Sequence, residues 1–372
     1  MIAPAVDDLV ATIRTLVECE SPTADHAAVA RSADVVTAVG EALLGAAPER
    51  IVLDGVTHLR WRLGDRTRVL VLAHHDTVWP LGTLERLPFA VAGGVLTGPG
   101  CFDMKAGLAM ALHAIAGLDD RDGVTLLVTG DEEVGSPSSR GLIEDTARGA
   151  RAALVLEASA DGGALKLERK GVSLYEVVVD GLAAHAGLEP EKGVNATVEL
   201  AHKVLAVAAL ADPAIGTSVT PTVAGSGSTT NTVPARASFA VDVRARPAAE
   251  QQRVDTAMRA LQPEVPGAHI EIRGGVNRPP LDAPASTALF ARAQALAAAL
   301  GLDDLPGVAV GGASDGNFTA GIGVPTLDGL GAVGGGAHAE TEHVLVDELV
   351  PRTRLLQALL AELRRAPGED AS

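Results

Sequence analysis

Three short apolar runs, RVLVLA at 68–73, VTLLVTG at 124–130 and AALVLEA at 152–158, constrain the fold more than any other feature of the chain. Each run is continuous, so both faces of the corresponding strand must be covered. Central strands of a parallel sheet sandwiched by helices have this pattern. Between the first two runs, DMKAGLAMALHAIAGL has helical periodicity, with Asp103 at the N-cap position after the breaker-rich TGPGCF. Residues 4–45 read as two helices parted by ESPTADH. Strand alternating with helix predicts an α/β fold with a mostly parallel central sheet and flanking helices.

Near Lys170 the texture changes. VSLYEVVVDG (172–181) alternates like a strand with one solvated face. An Ala-rich helix at about 194–211 follows, then a Gly/Ser/Thr-rich loop, a strand ASFAVDVRA (237–245) and a strand HIEIRG (269–274). This order predicts a small α+β domain over 171–278, inserted into a discontinuous larger domain made of 1–170 and 279–372. A length of 372 residues suits two cores better than one. The larger domain then resumes with a helix at 285–300, a glycine-rich loop, a short strand near Pro325 and an amphipathic helix at about 347–365.

Charge and composition narrow the partners. A net charge of −17 argues against nucleic acid and anionic membranes, which are bound through Lys and Arg clusters. No apolar stretch approaches the roughly 18 residues needed to span a bilayer. The N-terminus lacks a basic leader followed by an apolar block, which sets the expectation of a cytoplasmic protein. Two cysteines, Cys19 and Cys101, are too few for a disulfide framework.

The ends of the strands carry the chemistry. In HHDTVWPLGTL, His74 and Asp76 share one face while His75 points to the other. Open α/β sheets build their ligand sites at such carboxyl ends. GDEE places Glu132 and Glu133 after the second strand, and VLEA places Glu157 near the end of the third. Taken singly, each residue has a plain structural reading: an N-cap, a solvated acidic turn, a loop histidine. Four strand ends, with Asp103 as the fourth, all offering ligand-type side chains are less readily a coincidence. GGASDGNF (311–318), with Gly312, reads as a loop approached closely by a ligand or a partner backbone. It lacks the lysine and spacing of a phosphate cradle. ERKG (168–171) reads as a charged cluster on a hinge surface.

In order, HHDTVWPLGTL, LTGPGCFDMKAGL, GDEEVGS, VLEAS, AHAG, TNTVP, VDVRA, GGASDGNF and GGAHAETEHV resemble the zinc-dependent M20 peptidases, and most closely their glutamate carboxypeptidase branch. The resemblance implies a zinc-peptidase type catalytic domain and a lid or dimerisation domain. It implies two Zn²⁺ per chain, with Co²⁺ or Mn²⁺ as alternatives for the same ligands. Asp103 would bridge the ions, His74 and Glu157 completing one site and Glu133 and His338 the other. Such donors suit zinc and leave a position for water. Asp76 would hold the His74 ring in one tautomer. Glu132 would take the proton from a bridging water, which two ions acidify to hydroxide at neutral pH, and return it to the leaving nitrogen. His185 would reach the other subunit's active site and steady the oxyanion. Arg244 would grip the substrate's terminal carboxylate, assisted by Asn231. Ala106, where the family often has glycine, is read on a helix surface.

The expected activity is therefore hydrolysis of a C-terminal amide bond, releasing glutamate or a similar amino acid from a peptidyl or N-acyl group. The substrate would be a small molecule or short peptide with a free carboxylate, and the enzyme a homodimer through the inserted domain. An aminoacylase or N-acyl-amino-acid deacetylase of the same family is the alternative.

Overall fold

A computed structural model describes residues 2–302 and 304–365. The chain divides into a larger unit of residues 1–168, 281–310 and 314–372 and a smaller one of 169–280 with 311–313.

The larger unit is a mixed α/β layer structure. Its six-stranded sheet runs in the order Glu49–Leu53, Val56–Leu63, Val124–Thr129, Val69–His74, Ala152–Val155, Thr326–Leu327. The last four strands are mutually parallel. The first two form an antiparallel hairpin on one edge, which no continuous apolar run announces. Every residue of the three apolar runs' strands is buried. Alternate side chains serve opposite faces. Val69, Val71 and Ala73 pack with helix residues such as Leu108, Leu112 and Leu356. Leu70 and Leu72 pack instead with Ile143, Ala147 and Phe318. Each such Val, Leu, Ile or Phe side chain contributes roughly 1.5–3 kcal/mol by leaving water, so the sheet is anchored from both sides.

The helix after the first strand is Ala106–Ala116, and positions 106–115 are all buried. Asp103 is not its N-cap. Asp103 has extended backbone (φ −116°, ψ 95°), and the residue before the helix is Lys105. Nor does Ala106 lie on a helix surface, since it is fully buried. At Gly107 a Cβ atom would lie 2.0 Å from the Leu156 carbonyl oxygen. Glycine is therefore required for this helix to approach the backbone just before Glu157.

The smaller unit is an antiparallel sheet in the order Ser218–Ser226, Arg236–Ala245, Gly171–Asp180, His269–Arg278. Helices Ala196–Ala208 and Ala248–Arg259 close its core, with Val207, Val254 and Met258 packed against Tyr175, Val177, Phe239 and Val241. The strand Ser218–Ser226 occupies what the composition marks as loop. Its residues are mostly exposed, so the alternation that betrays a strand is missing. ERKG is not a surface cluster either: Arg169 is buried and donates to the Gly312 carbonyl at 3.1 Å. Among the described residues no helix is long and apolar enough to cross a membrane.

Candidate metal centre

Two overlapping groups of ligand-type side chains lie in the larger unit. His74, Asp103 and Glu157 form one, and Asp103, Glu133 and His338 the other, each with its donor atoms within 4.8 Å of one another. Asp103 belongs to both through different oxygens. Its Oδ1 lies 3.4 Å from His74 Nε2, and its Oδ2 lies 3.3 Å from His338 Nε2. Glu157 Oε1 is 3.6 Å from His74 Nε2, and Glu133 Oε2 is 3.1 Å from His338 Nε2. His74 ends a central strand, Glu157 follows Ala152–Val155 by two residues, and Glu133 lies in the turn after Val124–Thr129.

Hydrogen bonds fix which atoms face the cluster. His74 Nδ1 lies 3.0 Å from the Asp76 carbonyl, which can only accept, so Nδ1 carries the proton. Nε2 is thereby left as the nitrogen turned toward Asp103 and Glu157. The Asp76 carboxylate sits 3.4 Å from the same ring nitrogen. It accepts from Thr23 Oγ1 at 2.7 Å and from the Glu132 and Glu133 backbone amides at 3.3 and 3.2 Å. One buried aspartate thus aligns the histidine strand with the turn that carries both glutamates. His75 turns away, within 3.1 Å of Ser32 Oγ and 3.1 Å of the Thr57 carbonyl. His338 is half exposed and adopts a left-handed backbone (φ 61°), a conformation histidine tolerates better than most residues.

The electrostatics separate the two neighbouring histidines. Burial disfavours protonated His74, but Asp103 and Asp76 outweigh it and raise its pKa well above the ordinary value. Hydrogen bonds donated to Asp103 and then Glu133 raise His338 to about 10. Burial pushes Glu133 up. Asp103 is also opposed by burial, yet His338 and His74 hold it below the usual carboxylate range. His75, buried without such acids at its ring, falls to about 4.

The donor set fits divalent cations. His74 Nε2, which lies toward Asp103 and Glu157, and Glu133 Oε1 are buried polar atoms with no hydrogen-bond partner, and both belong to residues of the cluster. Buried polar atoms are ordinarily satisfied, so two orphans at one place mark positions for ligands. Two imidazoles and three carboxylates, one of them shared, match zinc and similar ions.

The residues expected to meet the substrate, His185, Asn231 and Arg244, lie in the smaller unit. His185 pairs with Thr232 in a short antiparallel bridge, and the Asn231 carbonyl accepts from the Ala186 amide, so AHAG and TNTVP meet. His185 Nδ1 accepts from the Gly187 and Leu188 amides at 3.1 Å each. Those donors reserve Nε2 as the N–H of the neutral ring. Arg244 is held by Asp242 through two bonds of 2.8 Å.

Glu342, buried in the loop after His338, escaped the reading of the sequence. It accepts from four N–H groups around Asp103. Among the acids of GGAHAETEHV nothing local distinguishes it from Glu340, which is exposed.

The fold and this donor set define a metal-dependent hydrolytic enzyme. The chain belongs to Peptidase family M20/M25/M40, whose model matches residues 70–362. It is similar to Carboxypeptidase G2 of Pseudomonas sp. (strain RS-16), 33% identical over 308 residues that cover 78% of this chain and 72% of the relative. It is also similar to Succinyl-diaminopimelate desuccinylase 2 of Shewanella loihica, 30% identical over 213 residues, or 51% of this chain and 56% of the relative. In structure it resembles the M20 family metallo-carboxypeptidase Sso-CP2 of Sulfolobus solfataricus, with a TM-score of 0.77, 17% identity, and coverage of 96% and 99% of the two chains.

Proposed function

We propose that this enzyme is a di-zinc amidohydrolase that cleaves a C-terminal amide bond. It releases glutamate or a similar amino acid from a peptidyl or N-acyl group. The observation that carries the reading is the split of Asp103, one carboxylate oxygen toward His74 and the other toward His338. A single carboxylate shared in this way suits a pair of cations better than one.

His74, Asp103 and Glu157 would hold one ion, and Asp103, Glu133 and His338 the other. When bound, such ions polarise the scissile carbonyl and acidify water. Glu132, whose backbone is pinned by Asp76, receives the proton and passes it to the leaving nitrogen. His185 donates its Nε2–H to the developing oxyanion, and the site is completed across a homodimer formed through the smaller unit, in the cytoplasm. Arg244 recognises the free carboxylate, with Asn231 and the Gly312 loop assisting. The similarity to Carboxypeptidase G2 supports release of a terminal amino acid. The similarity to a desuccinylase favours a second reading, removal of an acyl group from an amino acid, on the same machinery.

Metal content per chain, measured with amino-acid release across dipeptides and N-acyl amino acids, tests the proposal. We expect two zinc ions and fastest turnover where the leaving amino acid is glutamate. One ion or none sinks the di-zinc reading. Fastest turnover of short acyl groups, whatever the amino acid, selects the deacylase instead.

A further inference from the structure

The Asp103 loop is not positioned by the helix that follows it. Residues before Ala106 have non-helical backbone at Asp103 and Met104, and Gly100 is left-handed (φ 71°). A helical N-terminus fixes its first side chains through its own ladder, whereas a loop of this kind needs an outside hold. Glu342 supplies one. Its Oε1 accepts from the Phe102 amide at 2.9 Å and the Asp103 amide at 3.0 Å. Its Oε2 accepts from the Gly100 amide at 2.9 Å and from Trp79 Nε1 at 2.8 Å.

Glu342 sits four residues after His338 in the same loop. Tight turns lock that segment, with the Ala339 amide on the Gly336 carbonyl and the Glu342 amide on the Ala339 carbonyl, both at 2.9 Å. The loop therefore touches Asp103 twice: through His338 at the carboxylate and through Glu342 at the backbone.

We propose that Glu342 is a positioning residue for the metal centre, setting where the shared carboxylate of Asp103 stands between the two histidines. The assignment rests on the di-zinc reading above. A carboxylate is required because all four partners are N–H donors and each oxygen takes two of them. Glutamine offers one accepting oxygen, and its NH₂ would face two further donors. Buried N–H groups left without an acceptor do not stay in place, so the loop would shift until they find one. Displacing Asp103 disturbs both ion sites at once, because it serves both.

The test is zinc titration of chelator-stripped protein against a competing chromophoric chelator, with melting curves of the stripped chains and steady-state kinetics on one amide substrate. In Glu342→Gln we expect both zinc ions to bind about 10–100-fold more weakly, the range seen when groups supporting a ligand are removed. We expect kcat to fall while KM stays within a few-fold. Trp79→Phe, which removes one donor of four, should shift zinc affinity in the same direction by less.

Parental zinc affinity in a folded Glu342→Gln overturns the assignment. So does a lower melting temperature of the stripped protein with zinc affinity unchanged, which marks a merely structural carboxylate. If the glutamine variant does not fold, Glu342→Asp carries the test, since the shorter chain keeps both oxygens but cannot reach all four donors. Weakened zinc binding there supports the proposal, and parental binding overturns it. A parent chain that binds no zinc fails the functional reading, and this inference with it. A parent holding two ions beside an indistinguishable variant fails the inference alone.

Discussion

The larger and smaller units hold their chemical groups in opposite ways. In the larger one, five ligand-type side chains from separate segments converge, and His74, Asp76 and Glu157 are buried there. Burial opposes the charge on both Asp103 and Glu133, and the imidazoles outweigh it at Asp103 but not at Glu133. In the smaller unit His185 and Asn231 are exposed, and Arg244 is paired with Asp242 on its own strand. A cluster assembled at the expense of burial suits groups that must act in the transition state. A half-buried guanidinium paired with a carboxylate of its own strand suits recognition, where a substrate carboxylate competes with Asp242 for it. The metal cluster and Arg244 should therefore fail differently under mutation, one in kcat and the other in KM.

The largest effect is expected from Asp103→Asn. The amide keeps the volume but removes the charge shared between the two histidine groups. Loss of several kcal/mol of transition-state stabilisation corresponds to a fall in kcat of about 10³-fold or more. KM should move little and bound zinc should drop below two per chain. Steady-state kinetics with metal analysis would decide the matter, and a kcat within tenfold of the parent would break the contrast.

Arg244→Lys should give a smaller loss of the other kind. Lysine keeps the charge but not the fork that matches a carboxylate. Hydrogen bonds to charged groups are worth about 1.5–3 kcal/mol, so KM should rise about 10–100-fold with kcat nearly kept. A substrate whose terminal carboxylate is replaced by an amide sharpens the result. The parent should discriminate strongly between the two, and the lysine variant weakly. Equal discrimination would remove Arg244 from recognition.

Those contrasts trace back to what the chain displays along its length. The three central strands were legible because burial on both faces forces continuous apolar runs, and a histidine or glutamate just beyond such a run stands out. Asp103 is expected as a shared ligand only through the resemblance, and local rules misplace its backbone. The pattern Asp–x–x–Ala suggests an N-cap, but the chain stays extended there, and buried Met104 lies with its sulfur 3.3 Å from the His74 amide. Tertiary packing overrode the cap. The strand Ser218–Ser226 was hidden because an edge strand with Pro221, a register shift before Ala224 and little burial has no periodicity to read. Arg169 and Glu342 were misread or missed for one reason: burial of a charged side chain is decided by distant backbone groups, here the Gly312 carbonyl and the Asp103 loop.

The smallest expected effect on catalysis comes from His75, and it tests the contrast inside the larger unit. His74 and His75 are both buried, yet acids gather only at His74. Burial lowers His75 to about 4 from its ordinary 6.5. The unfolded chain therefore binds a proton on this residue between those values and the folded chain does not. Stability is present in full above pH 6.5 and is lost as pH falls toward 4, by roughly 3 kcal/mol for a shift of this size. His75→Gln, which cannot titrate, should keep zinc content and most of kcat. It should be less stable than the parent at pH 7.5, having disturbed the contacts to Ser32 and Thr57. Denaturant unfolding of both stripped proteins across this range should show their stability difference shrinking as pH falls. A difference that stays constant would mean that His75 takes up its proton in the folded chain as readily as in the unfolded one, and the two faces of this strand end would then be electrostatically alike.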